Sequence, residues 1–234
     1  MKNILCTVLM ISTALFIWGC STGCASLPVE EPLSPYEIVT DSFVRIDIYI
    51  GDIPIATGSG SVVAKSGGMA VVLTASHICV STQPNLTFSA TPTLRTNGHV
   101  AIVHSHDPDL DLCLLIVLTG LEGVPALALA AGGPAKYENY YNAANPLGSA
   151  TPSTGYAPVA EGIYMGHTVH PNGESDVYGI PSTSGSSGSP IINEQGALVG
   201  VVSRAVLAYP VMSLSPRHSD FHEFVIEGLA KLGL

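Results

Sequence analysis

The chain has 234 residues; once a leader of about 25 is removed, roughly 200 remain, enough for one large domain or two small barrels. Hydrophobic residues make up 47% and charged residues 11%, and 24 Gly and 17 Pro interrupt the chain at short intervals, which favours many short strands and makes all-β the expected class. Eight Lys+Arg against 18 Asp+Glu give a net charge of -10, so there is no basic stripe to neutralise phosphates and nucleic acid is excluded as an expected partner.

Residues 1–25 read as an export signal. Lys2 supplies a positive start, and Ile4 to Gly19 form an apolar stretch of 16 residues, short for a membrane span. Two endings compete. Ile17-Trp18-Gly19-Cys20 resembles a lipobox, with Cys20 as the lipidation candidate and Trp18 a poor fit, whereas Gly23-Cys24-Ala25 permits ordinary cleavage after Ala25. An uncleaved anchor helix is the third reading. Each predicts export of the rest, either to the cell envelope, attached to the membrane through lipid or anchor, or as a secreted protein.

Ser26 to Pro35 carries three prolines and two glutamates without an apolar period, so residues 26–37 read as an extended tether and folding is expected from Ile38. Phe43–Ile50 alternates, with Val44, Ile46 and Ile48 on one face, and Gly51-Asp52 turns the chain. Strands are predicted at Gly58–Ala64 and Ala70–Ala75, around the tight link Lys65-Ser66-Gly67-Gly68, and again at Ala101–Val103 and Leu112–Val117. Gly and Pro over 120–125 mark a boundary between halves spanning 38–120 and 121–217. Strands resume at Tyr140–Ala144, Gly162–Gly166, Ser175–Tyr178 and Leu198–Val202, with Pro171-Asn172-Gly173 as a hairpin turn and Tyr137, Tyr140 and Tyr141 read as an aromatic strand face. Ser219 is placed to cap a helix within 218–234, with Phe221, Phe224, Val225, Leu229 and Leu232 on one face and Gly233 stopping it.

Five cysteines are present, but only Cys79 and Cys113 belong to the folded part. Export permits a disulfide between them; both sit in apolar stretches, where a free Cys behaves as a small hydrophobe, and the sequence favours two free thiols.

Three segments can do chemistry together. Thr74-Ala75-Ser76-His77 places a histidine after an apolar strand, Asp111 opens another, and Gly185-Ser186-Ser187-Gly188-Ser189-Pro190 surrounds a serine with small residues. Acyl transfer needs a hydroxyl, an imidazole to take its proton, a carboxylate to fix the imidazole's tautomer, and backbone donors for the oxyanion. His77, Asp111 and Ser187 supply the first three, and the amides of Gly185 and Ser187 the fourth. No metal or other cofactor is called for.

These pieces, with Gly58-Ser59-Gly60-Ser61-Val62-Val63, Asn145-Pro146-Leu147-Gly148 and Glu161-Gly162-Ile163, resemble the chymotrypsin-like serine protease superfamily, in the bacterial branch of HtrA-type and glutamyl-endopeptidase-like proteases. The resemblance spans roughly Phe43 to Leu232 and implies two antiparallel six-stranded β-barrels, a triad in the cleft between them, and polypeptide substrates. It also implies Pro181 at the base of the specificity pocket, Ser203 behind the triad, and a Ser203-Arg204-Ala205 backbone that pairs with substrate as an added strand. Departures matter as well. There is no trypsin-type Ile-Val-Gly-Gly end, and Ser186 stands where trypsin-like zymogens carry an aspartate, so activation by a buried new N-terminus is not expected. No PDZ-sized segment follows. Pro181 at the pocket base and Val202 in place of the histidine of glutamyl endopeptidases support neither a Lys/Arg nor a Glu preference, so cleavage after small or medium apolar residues is the expected preference.

Other readings stay open. Asp107 and Asp109 compete with Asp111 for the third triad place, His104 and His106 invite a zinc site that Pro108-Asp109 disfavours, and Arg204 either reaches into the cleft or faces solvent. A silent double-barrel protein binding peptides or envelope partners is the rival function, and an esterase a third.

Overall fold

The computed structural model describes residues 32–80, 93–151, 156–170, 173–206 and 211–234. The leader, Cys20 and the Pro171-Asn172 step of the predicted hairpin lie outside them.

The first element corrects the tether. Helix α1 (Pro35–Ser42) begins within it, because Ser34-Pro35-Tyr36-Glu37 is a capping box: the Ser34 side chain accepts from the Glu37 amide, the Glu37 carboxylate accepts from the Ser34 amide at 2.8 Å, and Pro35 presets the first helical φ. A proline that reads as a linker residue here starts a helix.

Six strands follow: β1 (Phe43–Ile50), β2 (Ile53–Ser66), β3 (Met69–Thr74), β4 (Thr93–Thr96), β5 (His99–Asp107) and β6 (Leu112–Val117). They close an antiparallel barrel in the order β1-β2-β3-β6-β5-β4, with β4 returning to β1. The alternation in β1 does what it predicts, since Val44, Ile46 and Ile48 are buried together with Val62, Val72, Leu115 and Val117. Between β3 and β4 sits a one-turn helix, α2 (Ser76–Cys79).

The second half is a seven-stranded antiparallel sheet: β7 (Asn139–Ala143), β8 (Val159–His170), β9 (Gly173–Tyr178), β10 (Pro190–Ile192), β11 (Leu198–Val201), β12 (Arg204–Ala205) and β13 (Ser213–Pro216), in the order β11-β10-β7-β8-β9-β13-β12. Its edge strands β11 and β12 are consecutive in the chain, separated by Val202-Ser203 alone. One bent segment therefore pairs with β10 at one end and β13 at the other, which closes the second barrel with six strand positions. The all-β double barrel expected from the sequence is the fold observed.

The tyrosine face is a correction. Because neighbours on a strand point to opposite sides, Tyr140 enters the interior of the second barrel with Tyr164, Tyr178 and Ile180, whereas Tyr141 joins a core shared by both halves, and Tyr137 is exposed. That shared core draws Val71, Leu73, Leu112 and Leu114 from the first barrel and Ile192, Leu198 and Val201 from the second. Val39 of α1 and Phe221 and Val225 of the last helix, α3 (His218–Ala230), pack on it. Ser219 does not cap α3. The helix starts one residue earlier, and Asp176, on β9, accepts the His218 amide at 2.9 Å, so a carboxylate from another element serves as cap.

Candidate active site

Strand β3 ends at Thr74, which pairs with Cys113 near the start of β6. The residues just after β3 and just before β6 therefore meet at one end of the first barrel, and these are His77 and Asp111. Asp111 has φ +57°, a left-handed conformation that Asp tolerates, and its carbonyl accepts the Ser76 amide at 3.0 Å. Its carboxylate then lies against α2: Oδ1 and Oδ2 are each 2.9 Å from His77 Nδ1, and Oδ1 accepts the His77 amide at 3.0 Å. Ser203 Oγ donates to Oδ2 at 2.7 Å from the second barrel. A disulfide joins Cys79 to Cys113, where the sequence favours free thiols. Two apolar stretches at adjacent strand ends bring the sulfurs together, a proximity that local hydrophobicity does not reveal.

Asp111 is buried, while the His77 side chain is 47% exposed. Burial alone pushes the Asp111 carboxyl up. The hydrogen bond and charge of His77, the Ser203 hydroxyl and the His77 amide outweigh it and hold the group below the ordinary carboxylate range. An ionised Asp111 keeps the proton on Nδ1, leaving Nε2 as the basic nitrogen on the open side. Of the competing acids, Asp107 Oδ1 accepts the amides of Asp109 and Leu110, each at 2.9 Å, and so shapes the turn, and Asp109 is exposed. His104 Nε2 pairs with the Gly228 carbonyl at 3.1 Å.

Ser187 sits half-buried on the loop between β9 and β10. Five consecutive carbonyls there are engaged: Thr183 by the Ser186 amide, Ser184 by Leu147, Gly185 by Ser59 Oγ, Ser186 by Ser189, and Ser187 by the Ser59 amide, at 2.7 to 3.0 Å. The amides of Ser186, Gly188 and Ser189 are also engaged. Among the described residues, those of Gly185 and Ser187 donate to nothing. Gly185 has φ +91°, and a side chain there would meet Asn145 O at 2.2 Å, so glycine is required. A Cβ on Gly188 would lie 2.1 Å from Thr74 Oγ1 and 2.2 Å from Ser59 O, which puts the Ser187 loop directly against the stretch leading to His77. The site's hydrogen bonds join His77 to Asp111 and Asp111 to Ser203; one from the Ser187 hydroxyl to the imidazole is not among them.

The residues expected to contact substrate divide between two cavities. Pro181 is exposed and lines a cavity of about 410 Å³ with Ala144, Pro146, Val159, Thr183 and Ser186, and none of the residues lining it is charged. Ser203 and Arg204 line another, of about 180 Å³, together with the acidic residues Asp109, Glu174 and Asp220. Ala205 is exposed beside β13. Two residues that sequence reasoning leaves without a role, Ser59 and Asn145, prove central: Ser59 Oγ donates to Gly185 O at 2.8 Å and accepts the Asn145 amide at 2.9 Å. The only signal for them is their place inside Gly58-Ser59-Gly60 and Asn145-Pro146-Leu147-Gly148.

A family model described as a trypsin-like peptidase domain matches residues 58–201, well over half the chain. No curated protein sequence matches it. Among solved structures, the chain is similar to Rv3671c of M. tuberculosis H37Rv, crystallised as an inactive-form serine-to-alanine mutant. The two share 20% identity at a TM-score of 0.61, with 88% of this chain and 97% of that one covered. It is also similar to a serine endoprotease of Yersinia pestis, at 16% identity and a TM-score of 0.63, covering 86% of this chain and 68% of that one. At such identities these two likenesses speak to the fold.

Proposed function

This chain belongs to the trypsin-like peptidase family, and we propose that it is a serine endopeptidase acting through His77, Asp111 and Ser187. The observation that carries the reading is the pair of unengaged amides, Gly185 and Ser187, inside a loop whose every neighbouring carbonyl is tied down, next to an imidazole oriented by a buried carboxylate. Two fixed donors with no acceptor of their own suit an oxygen that becomes negative during reaction.

In this mechanism Ser187 Oγ attacks the peptide carbonyl carbon as His77 Nε2 takes the hydroxyl proton. The carbonyl oxygen, now an anion, is held by the amides of Gly185 and Ser187, while Asp111 stabilises the imidazolium. The intermediate collapses with transfer of that proton to the leaving amine, giving an acyl-enzyme, and water then repeats the sequence to release the acid and regenerate Ser187. A hydroxyl not yet bonded to the imidazole is compatible with this, since such contacts tighten when substrate binds.

Small or medium apolar side chains are the proposed cleavage preference, supported by the uncharged lining around Pro181 and Ser186. Export through residues 1–25, with the leader ending either before a lipidated Cys20 or after Ala25, is part of the same proposal; the amino-terminal residue of the mature protein distinguishes the two endings.

A fluorophosphonate probe tests the activity. Labelling of the wild type and not of Ser187→Ala is expected, with turnover of peptides lowered about 10⁶-fold in the variant. A folded wild type that takes no label overturns the reading in favour of a silent peptide binder, and turnover of esters without peptides marks an esterase.

A further inference from the structure

Every hydrogen-bonding atom of Ser59 is committed to the residues around the proposed oxyanion site. The residue is fully buried on β2, in the first barrel. Its amide donates to Ser187 O at 2.9 Å, its carbonyl accepts Thr74 Oγ1 at 2.7 Å, and its hydroxyl both donates to Gly185 O at 2.8 Å and accepts the Asn145 amide at 2.9 Å. Two residues beyond Asn145, the Leu147 amide donates to Ser184 O at 2.7 Å. The bonds form a closed circuit: Ser59 Oγ to Asn145, along the chain to Leu147, across to Ser184, on to Gly185, and back to Ser59 Oγ.

We propose that Ser59 is a positioning residue for the oxyanion site, holding the Gly185 amide in its donating direction from the opposite barrel. The inference rests on the endopeptidase reading and adds to it the part that fixes the donor. A trans peptide is planar, with N–H and C=O pointing opposite ways, so capture of Ser184 O by Leu147 aims the Gly185 N–H away from Leu147. Glycine at φ +91° is free to rotate out of that arrangement, and the bond from Ser59 Oγ to the next carbonyl denies it the freedom. Without the hydroxyl, Gly185 O and the Asn145 amide would both be buried without partners. Each would be driven to turn toward another, taking the donor with it. The strand beside Ser59 is itself closely packed, since a side chain on Gly60 would lie 2.9 Å from the backbone oxygen of Leu73.

Ser59→Ala and the shape-preserving, weakly donating Ser59→Cys test this against a merely structural role. The readouts are kcat and KM on a peptide substrate, the affinity of a peptide boronate, whose tetrahedral anion occupies the oxyanion position, the affinity of the amino-terminal cleavage product, and the melting temperature. For Ser59→Ala, kcat and boronate affinity are expected to fall together, roughly 10- to 100-fold, with KM and product affinity within about twofold. Ser59→Cys should fall between it and the wild type. Unchanged boronate affinity in either folded variant, or loss of boronate and product affinity in equal proportion, overturns the proposal. If Ser59→Ala does not fold, Ser59→Cys decides alone. Failure of the endopeptidase reading appears separately, as a folded wild type that neither turns over peptide nor takes the fluorophosphonate, and removes this proposal with it.

Discussion

Cys79 and Cys113 lie two residues beyond His77 and Asp111 respectively, and a disulfide joins them. The bond ties the helical turn that carries the imidazole to the strand that follows the carboxylate. It also closes a loop with a sequence separation of 34. By the loss of chain entropy in the unfolded state, such a closure stabilises by about 2–4 kcal/mol. Replacing both cysteines by alanine should lower the urea midpoint accordingly, and reductant should lower the wild-type midpoint to nearly the same value. A wild type indifferent to reductant would contradict the bridge.

Asp111→Asn should lower kcat about 10⁴-fold, because an amide no longer holds the imidazole in the productive tautomer. Stability should respond to pH with a definite sign. The folded-state pKa of Asp111 lies below its unfolded value, so its contribution is fully present above the ordinary carboxylate range and is lost as pH falls through that range toward the depressed value. Denaturation curves of wild type and variant should therefore be furthest apart near neutrality and converge in acid. A gap that widens in acid would mean that burial, not the His77 and Ser203 contacts, dominates the carboxyl.

Ser203→Ala removes the hydroxyl that, among the described residues, reaches Asp111 from the other barrel. A hydrogen bond to a charged group contributes about 1.5–3 kcal/mol, and the buried carboxylate would be left with fewer donors. We expect a loss of stability of that order, and a gap to the wild type that begins to close at lower pH than the Asp111→Asn gap does, since His77 still lowers the carboxyl pKa. Equal stability across pH would show the contact to be dispensable.

Gly188→Ala tests the approach of the two barrels. At φ +85° any side chain is strained, and this one would lie 2.1 Å from Thr74 Oγ1, 2.2 Å from Ser59 O and 2.9 Å from the Ala75 amide, two of which are backbone atoms that cannot step aside. Relief requires the Ser187 loop to withdraw from His77. Fluorophosphonate labelling should fall with stability, the latter by about 1–3 kcal/mol or more. Gly67→Ala, at φ +56° but in open space, should cost only the backbone strain and leave labelling unchanged.

What could be read from the chain alone follows from how local each feature is. The alternation of Val44, Ile46 and Ile48, and the ordered appearance of His77, Asp111 and Ser187 after or before apolar strands, are properties of short windows, and they lead to the barrel and to the His77–Asp111 pair. The capping box of Ser34 and Glu37 is equally local, yet the prolines around it argue for a tether and conceal it. The remaining features are contacts between segments far apart in sequence: Cys79 with Cys113, Ser59 with Gly185 and Asn145, Asp176 with the start of α3. No periodicity encodes them. Pro181 falls between these cases, since its distance from Ser187 is legible but the cavity it faces depends on Ala144, Pro146 and Val159.

The interior of the second barrel offers a prediction of opposite signs at neighbouring tyrosines. Tyr178 is fully buried with its ring 5.4 Å from those of Tyr140 and Tyr164, and among the described residues its hydroxyl has no partner. Tyr164 donates to the buried carboxylate of Asp176 at 3.0 Å. Leaving a buried hydroxyl unpaired costs about 1–3 kcal/mol, so Tyr178→Phe, which keeps the ring contacts, should leave stability unchanged or raise it by up to that amount. Tyr164→Phe instead strips a donor from Asp176 and should cost about 1.5–3 kcal/mol. Burial, reinforced by the charge of Asp176, holds the Tyr178 phenol well above its ordinary value of 10.0. Its neutral form therefore favours folding below that value, and the contribution is lost as pH rises beyond it, a decline that Tyr178→Phe should lessen. A Tyr178→Phe variant less stable than wild type by more than about 1 kcal/mol would mean that the hydroxyl finds a partner inside the barrel.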